Sequence, residues 1–182
     1  AWWDGHGHRA LANNSAVYNN RKPDMALFMK EAKALYDSKS GERGFFSRYA
    51  CQEIVKQSGR RDPNHDFGTN PCSEIILRNH QFCNLSEIVV RATDTLETLK
   101  EKAVIASILG TIQSSFTNFK YLRKCWKESC EEERLLGVSL TGVCDNIELL
   151  SKETLNELKE LVISTNQEWA AYLGIPASAA TT

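Results

Sequence analysis

The sequence predicts an α/β fold with largely parallel strands, and three observations lead there. Short apolar runs at residues 44–46, 82–90 and 135–143 alternate with longer stretches of helical periodicity at 24–36, 94–108 and 151–169. Polar segments containing Gly, Pro, Asn and Asp separate them. No repeat or low-complexity linker divides the chain, so it reads as one continuous piece of a domain.

The first elements follow in chain order. Residues 10–18 form a candidate strand that ends at the turn-like Asn19-Asn20-Arg21-Lys22-Pro23. Asp24 is placed to N-cap a helix through about Tyr36, with Ala26, Leu27, Met29, Ala32, Leu35 and Tyr36 near helical spacing. The polar residues 38–44 break it. A short strand at Gly44-Phe45-Phe46 and a short helix over 49–57 come next, and residues 60–69 read as a loop.

In the second half, the apolar Ile75, Ile76 and Leu77 precede an alternating run at 82–90, which predicts a strand. Asp94-Thr95-Leu96-Glu97 fits a capping box opening a long helix, with Leu96, Leu99, Ala103, Val104 and Ile108 on one side. The small, apolar residues 135–143 predict a buried strand. Ser151 caps a last helix whose Leu155, Leu158, Val162 and Trp169 lie near one stripe, and Gly174 with Pro176 stops it.

Bulk properties narrow the function. A chain of 182 residues can bury the core of one ordinary domain. Its 22 basic and 23 acidic residues give a net charge of −1, without the basic footprint of direct nucleic-acid binding. No apolar run has the length of a membrane span, and no signal-peptide layout opens the chain. The six cysteines (51, 72, 83, 125, 130 and 144) are irregularly spaced in a chain too large to need a disulfide framework, which predicts a reducing, cytoplasmic setting. The start at Ala1-Trp2-Trp3 and the stop at residues 176–182 read as cut ends, so the expectation for 1–182 is an internal fragment.

The segment richest in chemistry is Asn70-Pro71-Cys72-Ser73-Glu74. In an extended backbone, side chains at i, i+2 and i+4 point the same way, so an amide, a thiol and a carboxylate would share one face. Pro71 stiffens the backbone beside the thiol, and Gly68 would permit a tight approach from the preceding loop. A carboxylate serves as a general base near neutral pH when desolvation lifts its pKa above the usual ~4.3. A carboxamide can hold a substrate hydroxyl as donor and acceptor at once. A thiol is a nucleophile or, after one-electron oxidation, a hydrogen-atom acceptor, and spacing alone does not choose between these. Plainer readings stand beside it: an inert buried cysteine, a structural Cys72–Cys83 disulfide, or a zinc site from His65, Cys72, His80 and Cys83. The last has a spacing that matches no common ligand pattern.

The longer stretch Gly68-Thr69-Asn70-Pro71-Cys72-Ser73-Glu74-Ile75-Ile76-Leu77-Arg78, followed by Phe82-Cys83-Asn84-Leu85, resembles the active-site stretch of ribonucleotide reductases, and most of all the adenosylcobalamin-dependent class II enzymes. The resemblance extends to Asn13-Asn14-Ser15-Ala16-Val17-Tyr18, to Ser40-Gly41-Glu42-Arg43-Gly44-Phe45-Phe46 and to Leu135-Leu136-Gly137-Val138-Ser139-Leu140-Thr141-Gly142. It implies a ten-stranded α/β barrel with a central finger loop, of which 1–182 would be an internal piece. Cys72 at the loop's tip would become the thiyl radical that takes the ribose 3′ hydrogen. Glu74 would remove the 3′-hydroxyl proton, Asn70 would hydrogen-bond the substrate, and Cys83 would be one of the two thiols that supply the reducing electrons. Burial inside the barrel would shield the radical.

The resemblance further implies adenosylcobalamin as cofactor, its site mostly outside this chain, and no metal site. It implies a ribonucleoside tri- or diphosphate substrate, a thioredoxin-like dithiol reductant and a nucleotide effector. The chain departs from the family pattern in lacking the strand that carries the partner of Cys83. None of Cys51, Cys125, Cys130 and Cys144 sits in a matching context, so they read as ordinary buried or half-buried thiols. The substrate-phosphate loop is also missing. His8 and Arg9 read as a solvated strand edge before they read as nucleotide contacts, and Trp2-Trp3 as a lost packing contact. A class I large subunit and a noncatalytic remnant are the competing readings.

Overall fold

The computed structural model describes residues 5, 7, 8, 13–39, 41 and 43–181. Trp2, Trp3, Arg9, Ser40, Glu42 and the 10–12 portion of the first predicted strand lie outside the described residues. The chain divides into two compact units, one through Asn79 and one from His80. Among the described residues the strands form three two-stranded sheets, two with parallel and one with antiparallel pairing. No helix among the described residues is long and apolar enough to cross a membrane.

In the first unit, β1 (Ala16–Tyr18) runs parallel to β2 (Phe45–Ser47), and α1 (Met25–Ser38) connects them. Asp24 caps α1 as predicted, its Oδ1 accepting from the amides of Ala26 at 2.8 Å and Leu27 at 3.2 Å. The inward stripe differs from the expected one. Phe28, Ala32 and Leu35 are half-buried, whereas Leu27, Met29 and Tyr36 are exposed. Phe28 sets the rotation of the helix: its ring lies 5.0 Å from Phe45 and 6.1 Å from Tyr18.

Helix α2 (Arg48–Ser58) begins at Ser47, whose hydroxyl accepts from the Ala50 amide at 3.1 Å. Its Cys51 and Val55 pack with the fully buried Phe67, flanked by Phe46 and Ile76. Side-chain donors tie the 60–67 loop to this small core. Arg48 Nε donates to the Phe67 carbonyl at 2.8 Å, and Arg61 donates to the Ile76 carbonyl at 3.0 Å with its guanidinium 4.9 Å over the Phe67 ring. That anchoring delivers the chain into β3 (Gly68–Thr69), which pairs with β4 (Ile76–Leu77).

In the second unit, β5 (Asn84–Val89) and β6 (Leu136–Thr141) pair in parallel, in register from Asn84↔Leu136 to Val89↔Thr141. Helices α3 (Leu96–Ser114) and α5 (Lys152–Leu173) supply the rest of a core built on Ile88, Val90, Leu99, Ala103, Ala106, Leu136, Leu158 and Val162. The inward face of α3 runs through Leu99, Ala103, Ala106 and Gly110, while the predicted Leu96, Val104 and Ile108 are only half-buried. On α5, Leu158 and Val162 are buried as expected, but Leu155 is exposed and Trp169 half-buried. Strand β6 is buried only at its start; Ser139 and Thr141 face solvent. Gly110 lets α3 approach β6, because a Cβ there would lie 2.3 Å from Leu136 Cδ1. Gly142, at φ +71°, ends β6 where a Cβ would meet the Val90 carbonyl oxygen at 2.5 Å.

Two features differ from expectation. The cap of α3 is Thr95, which exchanges bonds with Thr98; Asp94 instead accepts from Lys102 Nζ at 2.6 Å and from the Arg91 amide at 2.8 Å. Helix α4 (Lys124–Glu133) carries no side-chain cap, so no start signal marked it. Beyond α5, the chain returns to β6: Leu136 N–H donates to Ser178 Oγ at 3.0 Å, and Thr181 bridges Leu136. A buried polar chain supports that return, running from Thr111 Oγ1 to Asn166 Nδ2 (2.9 Å) and from Asn166 Oδ1 to the Ser178 amide (2.9 Å).

Candidate active site

The loop at 70–75 reverses the chain between β3 and β4. It is a turn, not the extended segment expected from the sequence. The Ser73 amide donates to the Asn70 carbonyl at 3.1 Å, closing a β-turn with Pro71 and Cys72 at its centre. Proline favours the first central position of such a turn because its ring presets φ near −65°. Ser73 lies in the left-handed region at φ 68°, which costs a non-glycine residue roughly 1–2 kcal/mol unless its surroundings hold it there. Gly68 has no steric role of the kind expected, since a Cβ there would meet nothing within 4 Å.

Polar side chains hold the turn. Asn70 spans it: Oδ1 accepts from the Ile75 amide at 3.1 Å, and Nδ2 donates to Glu74 Oε1. Asn13, just before β1, clamps it from outside. Its Nδ2 donates to the Pro71 carbonyl at 3.1 Å and to Ser73 Oγ at 2.6 Å, and its Oδ1 accepts from the Ser15 amide at 2.9 Å. Ile75 is buried and fixes the far end of the loop.

Asn70 and Glu74 are therefore brought together, by bending rather than by alternation. Cys72 is exposed at the centre of the turn, and Glu74 is exposed too. The burial expected around the thiol is not provided by the described residues. Sequence reasoning passed over Asn13 as a clamp, although it opens a motif that carried the resemblance. It also passed over Asn70-Pro71 as a turn signal.

Cys83 immediately precedes β5 and is half-buried. Its neighbours are pinned on both sides. Gln81 Nε2 donates to the Ser129 carbonyl at 3.2 Å and to Glu133 Oε2 at 2.5 Å, while the Asn84 amide donates to the Leu135 carbonyl at 3.0 Å. The Phe82 ring stacks on Trp126 at 4.7 Å, and its amide donates to Cys130 Sγ at 3.3 Å. Cys83 and Cys130 both line a cavity of about 270 Å³, with Gln113, Ser114 and Phe116 among its walls.

All six cysteines are thiols. Burial pushes the Cys130 thiol pKa up against the opposing bond from the Phe82 amide; burial does the same to Cys51 against Arg48 and Arg61. Both are poor nucleophiles at neutral pH, in line with the ordinary buried thiols expected at these positions. Cys125 is half-buried and Cys144 exposed. His8 is exposed. Among the described residues no three His, Cys, Asp or Glu side chains gather as a metal site.

No family model and no solved structure matches the chain. Two curated proteins do. The adenosylcobalamin-dependent ribonucleoside-triphosphate reductase of Lacticaseibacillus paracasei is 29% identical over 143 residues, covering 76% of this chain and 18% of the relative. The enzyme of the same name from Levilactobacillus brevis is 25% identical over 141 residues, again covering 76% of this chain and 18% of the relative. The chain thus spans about a fifth of the length of these relatives, and the resemblance to ribonucleotide reductases carried by residues 68–85 continues across most of it.

Proposed function

We propose that this chain is an internal part of a ribonucleotide reductase catalytic subunit, converting ribonucleoside triphosphates to their 2′-deoxy forms through a radical at Cys72. One observation supports this most: Asn70 and Glu74 are bonded to each other across the turn that presents Cys72. An amide that already holds the carboxylate can release it to a ribose hydroxyl as substrate arrives. In this reading Cys72, as a thiyl radical, takes the 3′ hydrogen atom. Glu74 takes the 3′-hydroxyl proton while Asn70 holds the ribose. The 2′-hydroxyl takes up a proton and leaves as water, and Cys83 with a second thiol supplies two protons and two electrons in all and ends as a disulfide. The 3′ hydrogen atom then returns from Cys72 to the sugar, which leaves Cys72 again as the thiyl radical.

The hairpin over 67–77 would be the finger loop of a ten-stranded barrel, whose remaining strands would supply the walls around Cys72. The cofactor in this reading is adenosylcobalamin, which when bound supplies the one-electron oxidation of the thiol. Exposure of Cys72 leaves room for a bulky radical source, and no described residue is assigned to hold it. The names of both relatives favour this class over a class I subunit. A thioredoxin-like dithiol would restore the reducing pair, and a nucleotide effector would bind elsewhere in the parent.

The test follows deoxynucleotide formation by the longer parent protein with a dithiol, with and without adenosylcobalamin. Cys72→Ser abolishes turnover, because an alcohol O–H bond is too strong to yield the radical. Glu74→Gln keeps the shape of the turn but slows turnover about 10²–10⁴-fold, the usual worth of a positioned base. Residues 1–182 alone form no product. Activity retained in Cys72→Ser would sink the radical mechanism, and activity that ignores cobalamin but needs a metal-containing subunit would move the protein to class I.

A further inference from the structure

After α5 the chain comes back to one edge of β6. Leu136 N–H donates to the Ala180 carbonyl at 3.2 Å, and Thr181 pairs with Leu136 as a parallel bridge. Alternate residues of a parallel strand bond to opposite neighbours. Leu135 and Thr141 turn their carbonyls to β5, accepting from the amides of Asn84 and Val90. Ser139 shares their side, whereas Val138 and Leu140 share the side of Leu136 and face the other edge. Handedness leads to the same edge independently. Helices α3 and α5 pack into one core on one face of the β5–β6 pair. Two right-handed crossovers on one face step in the same direction, so a strand following α5 belongs beyond β6 and not beside β5.

The packing beneath that edge is unfinished. Ile88, Val138, Leu140, Leu158, Val162 and Thr181 line a cavity of about 340 Å³. Thr181 Oγ1 is buried there and has no partner among the described residues, a state that folded proteins rarely leave uncorrected. We propose that this edge of β6 seats a third parallel strand, supplied by the chain that follows Thr181 in the longer protein. Its side chains two and four places after Thr181 project to the helix face, as side chains alternate along a strand, and fill the cavity beside Val138 and Leu140. The proposal rests on the reading of 1–182 as an internal part of that protein, and it places the next strand of the sheet that begins at Cys83. Continuity selects this occupant. The first rung is already made at Thr181, so further rungs require no loop to be closed, and a second copy of the chain would find Thr181 in its path.

Amide exchange, which reads no turnover, tests this apart from the chemistry at Cys72. The amides of Leu140 and Ser139 are followed by hydrogen–deuterium exchange in the longer parent and in the 182-residue chain. Ser139, bonded toward β5, is protected in both, and Leu140 exchanges at least about tenfold more slowly in the parent than in the shorter chain. Should Ser139 be unprotected in the shorter chain, the comparison moves to a parent whose four residues after Thr182 are replaced by a Gly-Ser stretch. There Leu140 loses its protection and Ser139 keeps it. The proposal is overturned if Leu140 exchanges equally fast in parent and comparison protein, or if the 182-residue chain already protects it as well as Ser139. Protection in the parent that grows with protein concentration would assign the edge to a second copy and overturn it equally.

Discussion

Cys72 and Cys83 are held in opposite ways. Cys72 sits on a turn that polar side chains build in an exposed place: Asn13 donates to Ser73 and to the Pro71 carbonyl, and Asn70 bonds Glu74 and the Ile75 amide. Cys83 sits in a segment packed into the second unit, with a buried glutamine before it, an aromatic stack beside it and a strand after it. The turn owes its shape to bonds worth about 0.5–1.5 kcal/mol each, the Cys83 segment to burial of a core. Substitutions around Cys72 therefore change the shape of the site before they change stability, and those beneath Cys83 do the reverse.

The largest stability effect expected is that of Leu136→Ala. Leu136 is 2% exposed, lies against Gly110 and starts the strand that pairs with Asn84. Truncation removes buried methyl groups beneath a helix that cannot collapse freely, for a loss of about 2–5 kcal/mol in chemical denaturation. The exposed Ile105→Ala on the outer side of α3 serves as control and stays within about 0.5 kcal/mol of the parent. Equal losses in the two variants would mean that the core is not where the packing places it.

Next in size is Gln81→Ala, which removes the bonds to Ser129 and to the buried Glu133. A buried carboxylate that loses a donor costs about 1–3 kcal/mol, and amide exchange at Phe82 and Asn84 should rise with it. Asn13→Ala should behave differently. Global stability falls by about 1 kcal/mol or less, while exchange at the Ser73 and Ile75 amides speeds up and that of β5 stays put. A loss of stability as large as that from Gln81→Ala would erase the contrast between the two segments.

Much of the scaffold was legible in the sequence because its signals are local. Asp24, Ser151 and Gly174 bound their helices as capping chemistry requires, and the 82–90 alternation became β5. What failed was whatever depends on tertiary company. The rotation of α1 follows Phe28 onto Phe45, which periodicity alone cannot select among several apolar residues. Helix α4 begins at Lys124, after an Arg123 that offers no side-chain cap, and is rich in charge, so it carried no start signal and no apolar stripe. At the site, residue identity pointed to Asn70, Cys72 and Glu74, but an assumed extended backbone gave them the wrong geometry. Asn70-Pro71 already signals a turn, and reading it would have placed Glu74 beside Asn70 by chain reversal.

The smallest effect concerns the start of α3, where one residue position separates expectation from structure. Thr95 caps the helix and Asp94 does not, so the two should fail differently. Thr95→Ala loses the bond its hydroxyl accepts from the Thr98 amide and costs about 1 kcal/mol at neutral pH. Asp94 is held below the usual carboxylate range, first by its hydrogen bond from Lys102 and then by the Arg91 amide. A carboxyl whose folded pKa is depressed contributes stability that is fully present above its unfolded value near ~3.9. That contribution is lost as pH falls from there through the folded value, because the unfolded chain binds the proton more readily. Denaturation midpoints measured from pH 6 downward should thus decline less steeply in Lys102→Met than in the parent. An acid limb in Lys102→Met as steep as that of the parent would mean that Lys102 does not hold the Asp94 carboxyl down.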